Sequence, residues 1–172
     1  ATGLAYGLAS AYAPAKGGSS EMKITNVVTT TPVVNVTNNL TLSGSASYSV
    51  FLMGPAATAQ GVVLLDILSP PAAGNALVRF VHASSDTAGL DIFQDDAATA
   101  NIAALAYRSG SGYLSVPAGA HDYKINLTGT ANAALPAQAL TLEAGRIYTS
   151  VVLGSSAAGA AKPLSLNLLL DR

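Results

Sequence analysis

Hydrophobic and polar residues alternate along much of this chain in the pattern of β-strands. Between residues 122 and 127, Tyr123, Ile125 and Leu127 alternate with polar residues, which is the period of a strand with one buried face. Similar short runs, rich in β-branched and aromatic residues, are bounded by Gly, Pro, Asn or Ser from end to end. The pattern therefore predicts an all-β protein.

The predicted strands fall into two groups separated by a proline-containing stretch. In the second half of the chain they are Leu77–Ala83, Leu90–Gln94, Ser111–Val116, Asp122–Leu127, Ala139–Leu142, Ile147–Leu153 and Leu164–Leu170. In the first half they are Ser10–Ala15, Met22–Val28, Val33–Val36, Asn39–Leu42, Tyr48–Met53 and Val62–Leu68. Short strands with turn signals between them are typical of an immunoglobulin-like antiparallel β-sandwich.

Helices have little support in the pattern. Alanines cluster between two strand-like segments at Ala97–Ala106, where a short helical turn is predicted, whereas Ala157–Ala161 is interpreted as a flexible loop. Two prolines followed by small residues at 70–74 punctuate two apolar runs and favour an extended linker.

The chain also repeats itself at a spacing close to 100 residues. The repeated positions include Leu4/Leu105, Tyr6/Tyr107, Ser10/Ser111, Tyr12/Tyr113, Gly18/Gly119, Leu42/Leu142, Tyr48/Tyr148, Gly54/Gly154 and Asp66/Asp171. A repeat of this length indicates two tandem modules of one fold. We predict a first module over 1–70, a linker over 71–75 and a second module over 76–172. The stretch from Ala76 to Ala104 has no counterpart before Leu4, so the first module is expected to lack its N-terminal strands.

Composition excludes several classes of function. Charged residues are only 10% of the chain, the net charge is −1, and Lys and Arg are scattered singly, so we predict no nucleic-acid partner. The absence of cysteine excludes disulfides and Cys-based metal sites. The longest apolar runs are far shorter than the roughly 20 residues of a membrane helix, so no membrane span is predicted.

Four motifs in the second half match the pattern of a known family. They run over 76–86 (ALVRFVHASSD), 89–93 (GLDIF), 111–119 (SGYLSVPAG) and 142–149 (LEAGRIYT). The chain thus resembles the DUF4397 family, which consists of small extracytoplasmic β-sandwich modules, often in tandem on bacterial exported proteins. The resemblance implies fold and exported location, and it brings no catalytic residue, cofactor or ligand.

Two departures from the family pattern stand out. Ser85 occupies a turn position where the family commonly has proline. The first module has no equivalent of the V-R-x-V-H strand or of the following V-D-V-Y strand, so its resemblance covers only the later strands.

Asp86, Asp91, Asp95 and Asp96 form the acidic cluster of the sequence and raise a calcium hypothesis, since hard cations take carboxylate and carbonyl oxygens. Their spacing lacks the D-x-D-x-D-G of an EF-hand loop. Aspartates that flank a strand commonly cap turns through the backbone. We therefore favour turn capping and assign no metal ligands.

His82 and His121 lack neighbouring residues at a zinc-like spacing. His82 follows a strand, and we expect it to be a structural histidine in contact with the turn Ser84–Asp86. A Ser-His-Asp arrangement could be drawn through Asp86, but the nucleophile elbow G-x-S-x-G is absent. No catalytic or cofactor-binding residue is predicted, and we do not expect an enzyme.

Six of the seven tyrosines form the matched pairs Tyr6/Tyr107, Tyr12/Tyr113 and Tyr48/Tyr148. Equivalent places in two modules favour core or tyrosine-corner packing, in which the ring is buried and the hydroxyl bonds to the main chain. The alternative is a platform on which sugars stack, because aromatic faces also bind carbohydrate.

An incomplete first module suggests assembly. Missing strands leave unpaired backbone groups and an open core, which strands donated by another copy or a partner would cover. The other explanation is that upstream residues of the mature protein supply them. We predict a structural subunit of an extracellular or cell-surface fibre or matrix, exported, with its signal peptide absent from this chain.

The alternative is a surface-displayed module that binds a glycan or a protein. Loops on a rigid scaffold often carry recognition. The loops in question are Ser84–Gly89, Asp95–Thr99 and Ser155–Lys162.

Overall fold

The computed structural model describes residues 3–25 and 32–172 and confirms an all-β protein. The chain divides into two compact units, 1–67 and 68–172. The strands of the first unit are β1 (Gly18–Thr25), β2 (Pro32–Leu42), β3 (Ser47–Met53) and β4 (Gln60–Asp66). The strands of the second unit are β5 (Asn75–His82), β6 (Leu90–Gln94), β7 (Ile102–Leu105), β8 (Leu114–Pro117), β9 (Gly119–Leu127), β10 (Ala133–Leu142), β11 (Ile147–Leu153) and β12 (Ser165–Leu170). In the described part of the chain, no helix is long and apolar enough to cross a membrane.

The second unit is a sandwich of two four-stranded sheets. One sheet has the order β10-β9-β6-β7 and the other has the order β12-β11-β5-β8. Alternate residues of the two sheets fill the space between them, and Val78, Phe80, Ile92, Tyr123 and Ile125 are fully buried there. The Phe80 and Tyr123 rings pack with their centres 5.0 Å apart. Burying each such side chain contributes about 1.5–3 kcal/mol, so this interior is the main source of the unit's stability.

Strand β5 lies between two neighbours within its sheet. It pairs antiparallel with β8 and parallel with β11, with Arg79 opposite Thr149. The sequence predicts antiparallel pairing throughout, and this parallel pair departs from that expectation. Parallel neighbours cannot be joined by a hairpin and need a long connection. Here the chain between β5 and β11 contains several other strands, so a parallel arrangement is possible.

The first unit contains two antiparallel two-stranded sheets among its described residues, β1-β2 and β3-β4. The sequence repeat makes β1, β2, β3 and β4 the counterparts of β9, β10, β11 and β12. The backbone follows the repeat too, since Gly54 and Gly154, which follow β3 and β11, have φ of 105° and 102°. This conformation favours glycine over residues with a Cβ.

Within residues 3–25 and 32–67, no strand corresponds to β5 or β6. In the second unit these are the V-R-x-V-H strand and the strand after it. In the second unit β5 lies beside β11, and β6 lies beside β9. The edge of β3 that faces away from β4 therefore corresponds to the edge of β11 that pairs with β5, and the edge of β1 that faces away from β2 corresponds to the edge of β9 that pairs with β6. By contrast, β2 and β4 correspond to the edge strands β10 and β12.

The predicted strand over Ser10–Ala15 is wrong, because this segment is not a strand. Its counterpart in the second unit includes β8, whose ladder partner is β5. A strand needs a partner for its backbone groups, and that partner has no counterpart among the described residues of the first unit. In addition, Pro14 replaces Ser115 of the repeat and removes one backbone donor.

The predicted helical turn over Ala97–Ala106 is also wrong, because it contains the edge strand β7, which pairs with β6. Ile102 and Leu105 pack against the core, and this burial outweighs the helix propensity of the alanines. The two strands predicted over Val33–Val36 and Asn39–Leu42 form the single strand β2. The end of the strand predicted over Met22–Val28 lies outside the described residues.

The difference between the units predicts a difference in independent stability. Residues 68–172 expressed alone should be monomeric and unfold cooperatively, because both sheets are complete. Residues 1–67 alone should aggregate or lack fixed tertiary packing, because isolated two-stranded sheets are marginal in water. Near-ultraviolet circular dichroism and urea unfolding of both fragments test this. A well-ordered monomeric fragment 1–67 would contradict it and would show that the first unit is a complete smaller fold.

Candidate functional site

A buried arginine is the centre of a polar cluster in the second unit, here called the Arg79 cluster (Arg79, Tyr113, Thr149 and Asp171). Arg79 is 2% exposed, and its Nε donates to Thr149 Oγ1 at 2.8 Å. Asp171 Oδ2 accepts from Thr149 Oγ1 at 2.7 Å and from the Tyr113 hydroxyl at 3.1 Å. The guanidinium carbon lies 4.9 Å from the centre of the Tyr113 ring. These partners compensate the cost of removing the charges from water.

The first unit repeats this cluster without its arginine. Asp66 Oδ2 accepts from the Tyr12 hydroxyl at 2.5 Å and from Ser49 Oγ at 2.9 Å. These three residues are the repeat counterparts of the tyrosine, aspartate and threonine of the Arg79 cluster. Arg79 has no counterpart among the described residues because it belongs to β5. The sequence contained a signal for this site, since Tyr12 and Asp66 both occur in repeated pairs, but their contact follows only from the fold.

A second tyrosine pair is also structural in both units. The Tyr48 hydroxyl accepts from the Ser43 amide at 3.1 Å, and the Tyr148 hydroxyl accepts from the Glu143 amide at the same distance. This bond to the backbone just upstream is the geometry of a tyrosine corner. The hydroxyl-to-backbone bond of a tyrosine corner is thus present in both units, with a buried ring for Tyr148 and a half-buried ring for Tyr48. The prediction of a buried ring is wrong for Tyr6 and Tyr12, which are 57% and 48% exposed.

Positions that form the core of the second unit are exposed in the first. Leu105 is 5% exposed, but its counterpart Leu4 is 57% exposed. Val152 is fully buried, but its counterpart Leu52, on β3, is 45% exposed. The apolar side chains for a sandwich interior are therefore present in the first unit, and no strand within residues 3–25 and 32–67 corresponds to the β5 and β6 that cover this interior in the second unit.

The outer edge of β3, here called the open edge, also lacks the usual protection of an edge strand. β3 has seven residues, SYSVFLM, with no charge and no proline. Three of the four edge strands of the second unit are short or interrupted: β8 ends at Pro117, β10 contains Pro136 beside an irregular register, and β7 contains Ala104 at a φ of 52°. Such features discourage pairing with other chains, and β3 lacks them. The fourth edge strand, β12, also lacks charge and proline.

His82 has a structural environment, as the sequence predicts. It is fully buried, its Nε2 lies 3.0 Å from the Ala88 carbonyl oxygen, and its Nδ1 accepts from the Ser84 amide at 3.4 Å. Burial lowers the pKa of His82, which keeps the ring neutral at pH 7. Both ring nitrogens contact backbone groups, and among the residues that the structure describes no serine hydroxyl bonds to this ring in the manner of a catalytic triad.

The four aspartates of the acidic cluster have separate surroundings. Asp91 accepts from the amides of Ala104 and Gly129 at 2.7 and 2.9 Å, and these hydrogen bonds lower its pKa. Asp95 lies 3.0 Å from His121 Nδ1, a contact that lowers the pKa of Asp95 and raises that of His121. These carboxylates cap turns and strand ends, as favoured from the sequence.

Asp86 joins two loops. Its carboxylate accepts from Ser155 Oγ at 2.5 Å, from the Ser156 amide at 3.1 Å and from Ser84 Oγ at 3.0 Å. Asp96, the fourth member, is exposed. Within residues 3–25 and 32–172, no three His, Asp or Glu side chains come close enough to hold a metal ion together.

The three loops singled out from the sequence divide between the two ends of the second unit. Ser84–Gly89 and Ser155–Lys162 follow the parallel strands β5 and β11, so they lie at one end and are joined by Asp86. Asp95–Thr99 lies at the other end, where β5 begins. Asp95 contacts His121, and His121 contacts the carbonyl oxygen of Pro117. Pro117 is paired with Asn75, the first residue of β5. A single recognition surface made of all three loops is therefore ruled out by the topology.

A comparison with protein families agrees with this architecture. A family model described as a domain of unknown function, DUF4397, matches residues 1–93 and 76–171. The chain belongs to the DUF4397 family. The two matches share 76–93, which forms β5 and most of β6 in the second unit. No curated protein matches the chain. The DUF4397 assignment confirms the resemblance seen in the motifs and the tandem arrangement, and it carries no activity with it.

From the contacts of the Arg79 cluster, we expect that replacing its arginine greatly lowers the free energy of unfolding. Arg79→Met should destabilise the second unit by about 3–5 kcal/mol, because the Asp171 carboxylate stays buried without its counter-charge. The matched control is Arg146→Met, which breaks an exposed ion pair with Glu143 and should cost at most about 1 kcal/mol. Urea unfolding of the full chain measures both. Equal effects of the two substitutions would contradict a stabilising role for the cluster.

The Asp86 contacts predict a dependence of stability on acid. Hydrogen bonds from Ser155 and then from the Ser156 amide lower the pKa of Asp86 from 3.8 to about 2. Because the folded state lowers this pKa, the stabilisation is complete above about pH 4 and is lost as the pH falls towards 2. Asp86→Asn should reduce the loss of stability in this range, measured by urea unfolding at several pH values. Asp96→Asn is the control for removing one charge, and an identical profile in both variants would refute the role of Asp86.

Proposed function

We propose that this DUF4397 protein is a non-enzymatic structural subunit of an extracellular or cell-surface assembly, such as a fibre or matrix, in which a strand from a neighbouring copy completes the first unit. The observation that carries the proposal is the open edge of β3. In the second unit the equivalent edge of β11 is covered by β5.

Physical chemistry favours addition of a strand at this edge. An incoming strand forms main-chain hydrogen bonds along β3, which is the mode called β-augmentation. It also covers apolar side chains such as Leu52, and burial of one leucine contributes about 1.5–3 kcal/mol. In general, a strand edge without a neighbour leaves backbone donors and acceptors dependent on water.

The placement of the open edge also favours a chain of subunits over a closed pair. The acceptor surface belongs to the first unit, whereas the β11 edge of the second unit is already paired. A contact between unlike surfaces of successive copies does not close on itself unless the rotation between copies happens to complete a ring. Because only 10% of the residues in the chain are charged, copies of the protein repel one another little.

A second candidate is a surface-displayed module that binds a glycan or a protein. Two observations favour it: Asp86 holds the loops Ser84–Gly89 and Ser155–Lys162 together at one end of the second unit, and the tyrosines Tyr6 and Tyr12 of the first unit have exposed rings. Rigid loops and exposed aromatic faces are both used in recognition.

Assembly is tested by placing a charge on the face that an added strand would cover. Leu52→Lys should abolish self-association of the protein with its native N-terminus, because the ammonium group would have to be buried. Leu65→Lys is the matched control: Leu65 is 60% exposed, and its counterpart Leu170 remains 58% exposed in the complete unit. Sedimentation and electron microscopy provide the measurement.

The protein and its Leu65→Lys variant should form oligomers or filaments, and Leu52→Lys should remain monomeric. A protein that is monomeric at high concentration in all three forms would overturn the assembly proposal. Glycan-array binding that is lost on substitution of Tyr12 or Ser155 would instead support the second candidate.

A further inference from the structure

His121 lies at one end of the second unit, where it connects the two sheets. It belongs to β9 of one sheet, and its ring contacts Pro117, the last residue of β8 in the other sheet. The ring also contacts Asp95, which directly follows β6 and begins the loop Asp95–Thr99. One half-buried imidazole therefore holds a loop against strands of both sheets.

Both ring nitrogens of His121 face oxygen atoms that can only accept hydrogen bonds. Nδ1 lies 3.0 Å from Asp95 Oδ2, and Nε2 lies 2.8 Å from the carbonyl oxygen of Pro117. A neutral imidazole carries a proton on one nitrogen and can donate to one of these acceptors, whereas an imidazolium donates to both. The two contacts together therefore require the charged ring.

Gln94 provides a partner for the neutral ring. Its side-chain Nε2 lies 3.1 Å from His121 Nδ1 and 3.4 Å from Asp95 Oδ2. An amide NH2 group only donates, so it can bond to Nδ1 only when that nitrogen has lost its proton. In this neutral tautomer the proton stays on Nε2, and the lone pair of Nδ1 repels the Asp95 carboxylate. Two successive residues after the same strand thus match the two protonation states of one ring.

We infer that His121 is a pH-sensitive latch on the loop Asp95–Thr99, bonded to Asp95 when the ring is charged and to Gln94 when the ring is neutral. The bond from Nε2 to Pro117 is kept in both states. This inference is independent of the proposed assembly, because it concerns the second unit alone.

The direction of the pH dependence follows from the contacts. The hydrogen bond with Asp95 is the main cause that raises the pKa of His121 above 6.5. Stabilisation by the charged ring is therefore complete below about pH 6.5 and is lost as the pH rises through the folded value. At the acid end the contact is lost when Asp95, whose pKa is lowered from 3.8, becomes protonated.

Asp95 is the charged group that faces the ring. Strands β8 (LSVP) and β10 (AALPAQALTL), which lie beside His121, contain no titratable residue. On β9 the Tyr123 ring centre lies 6.5 Å away, and burial raises the pKa of Tyr123 to about 12, so this phenol stays neutral. The Asp122 side chain is exposed, and its backbone amide donates to Asp95 Oδ1 at 3.0 Å. That bond is available in both states, so the latch releases one oxygen of the carboxylate and not the whole loop.

The experiment is a pH titration of the full chain by NMR, which follows the ring protons of the two histidines. His121 should titrate above pH 6.5 and His82 below it, because burial lowers the pKa of His82. Asp95→Asn should lower the midpoint of His121, and asparagine tolerates the φ of 52° at this position. Asp96→Asn is the matched control, since it removes an exposed neighbouring carboxylate and should leave the midpoint nearly unchanged.

Two further signals test the exchange of partners. Above the midpoint, the nitrogen-15 shifts of His121 should show its proton on Nε2. The backbone amide signals of residues 96–99 should move with the same midpoint in the unaltered protein and should no longer do so in Asp95→Asn. The latch would be overturned by an equal midpoint in the unaltered protein and Asp95→Asn, by a neutral ring with its proton on Nδ1, or by loop signals that do not follow the ring.

Discussion

The pairing of β5 between β11 and β8 is the interaction on which the complete unit depends. This strand supplies backbone partners to both neighbours and places Val78 and Phe80 in the core. On its other face Arg79 lies against Thr149 and Asp171, so one strand joins the apolar interior to a buried polar cluster. Removing it would take Arg79 away from the Asp171 carboxylate, leave the facing backbone groups of β11 and β8 without their ladder partners, and open part of the core, and all three losses are costly in a protein interior.

The first unit contains the repeat counterparts of many residues of the second, but its described residues include no strand equivalent to β5. Leu4 and Leu52 are exposed, although their counterparts in the second unit are buried. The segment corresponding to β8 is not a strand, since a strand of a sheet requires a neighbour. Tyr12, Ser49 and Asp66 nevertheless keep the hydrogen bonds of the Arg79 cluster. The polar contacts of the cluster are thus formed within the first unit, whereas its apolar core positions are exposed.

The residues that most resembled a chemical site in the sequence have local structural roles. His82 bonds to the backbone through both ring nitrogens, and Asp91 accepts amide hydrogen bonds at the ends of strands. Asp86 lies far from Ser155 in sequence but accepts its hydroxyl hydrogen bond, a contact that composition cannot indicate. The buried Arg79 was visible in the sequence only as part of a motif, because a single arginine in an apolar strand does not reveal which carboxylate it meets.

The sequence by itself determined the all-β class, the tandem repeat and most strand positions, because two-residue alternation and repeated positions are local signals. The predicted bounds of Leu90–Gln94 and Ile147–Leu153 are those of β6 and β11. It failed for Ser10–Ala15 and Ala97–Ala106, because pairing with a neighbouring strand decides whether a segment forms a strand. The described residues contain no such partner for the first segment, whereas β6 pairs with β7 in the second. Tertiary structure alone decided the parallel pairing of β5 with β11, the division of the loops between two ends and the meeting of Tyr12 with Asp66. These depend on contacts between residues far apart in the chain, which local periodicity does not encode.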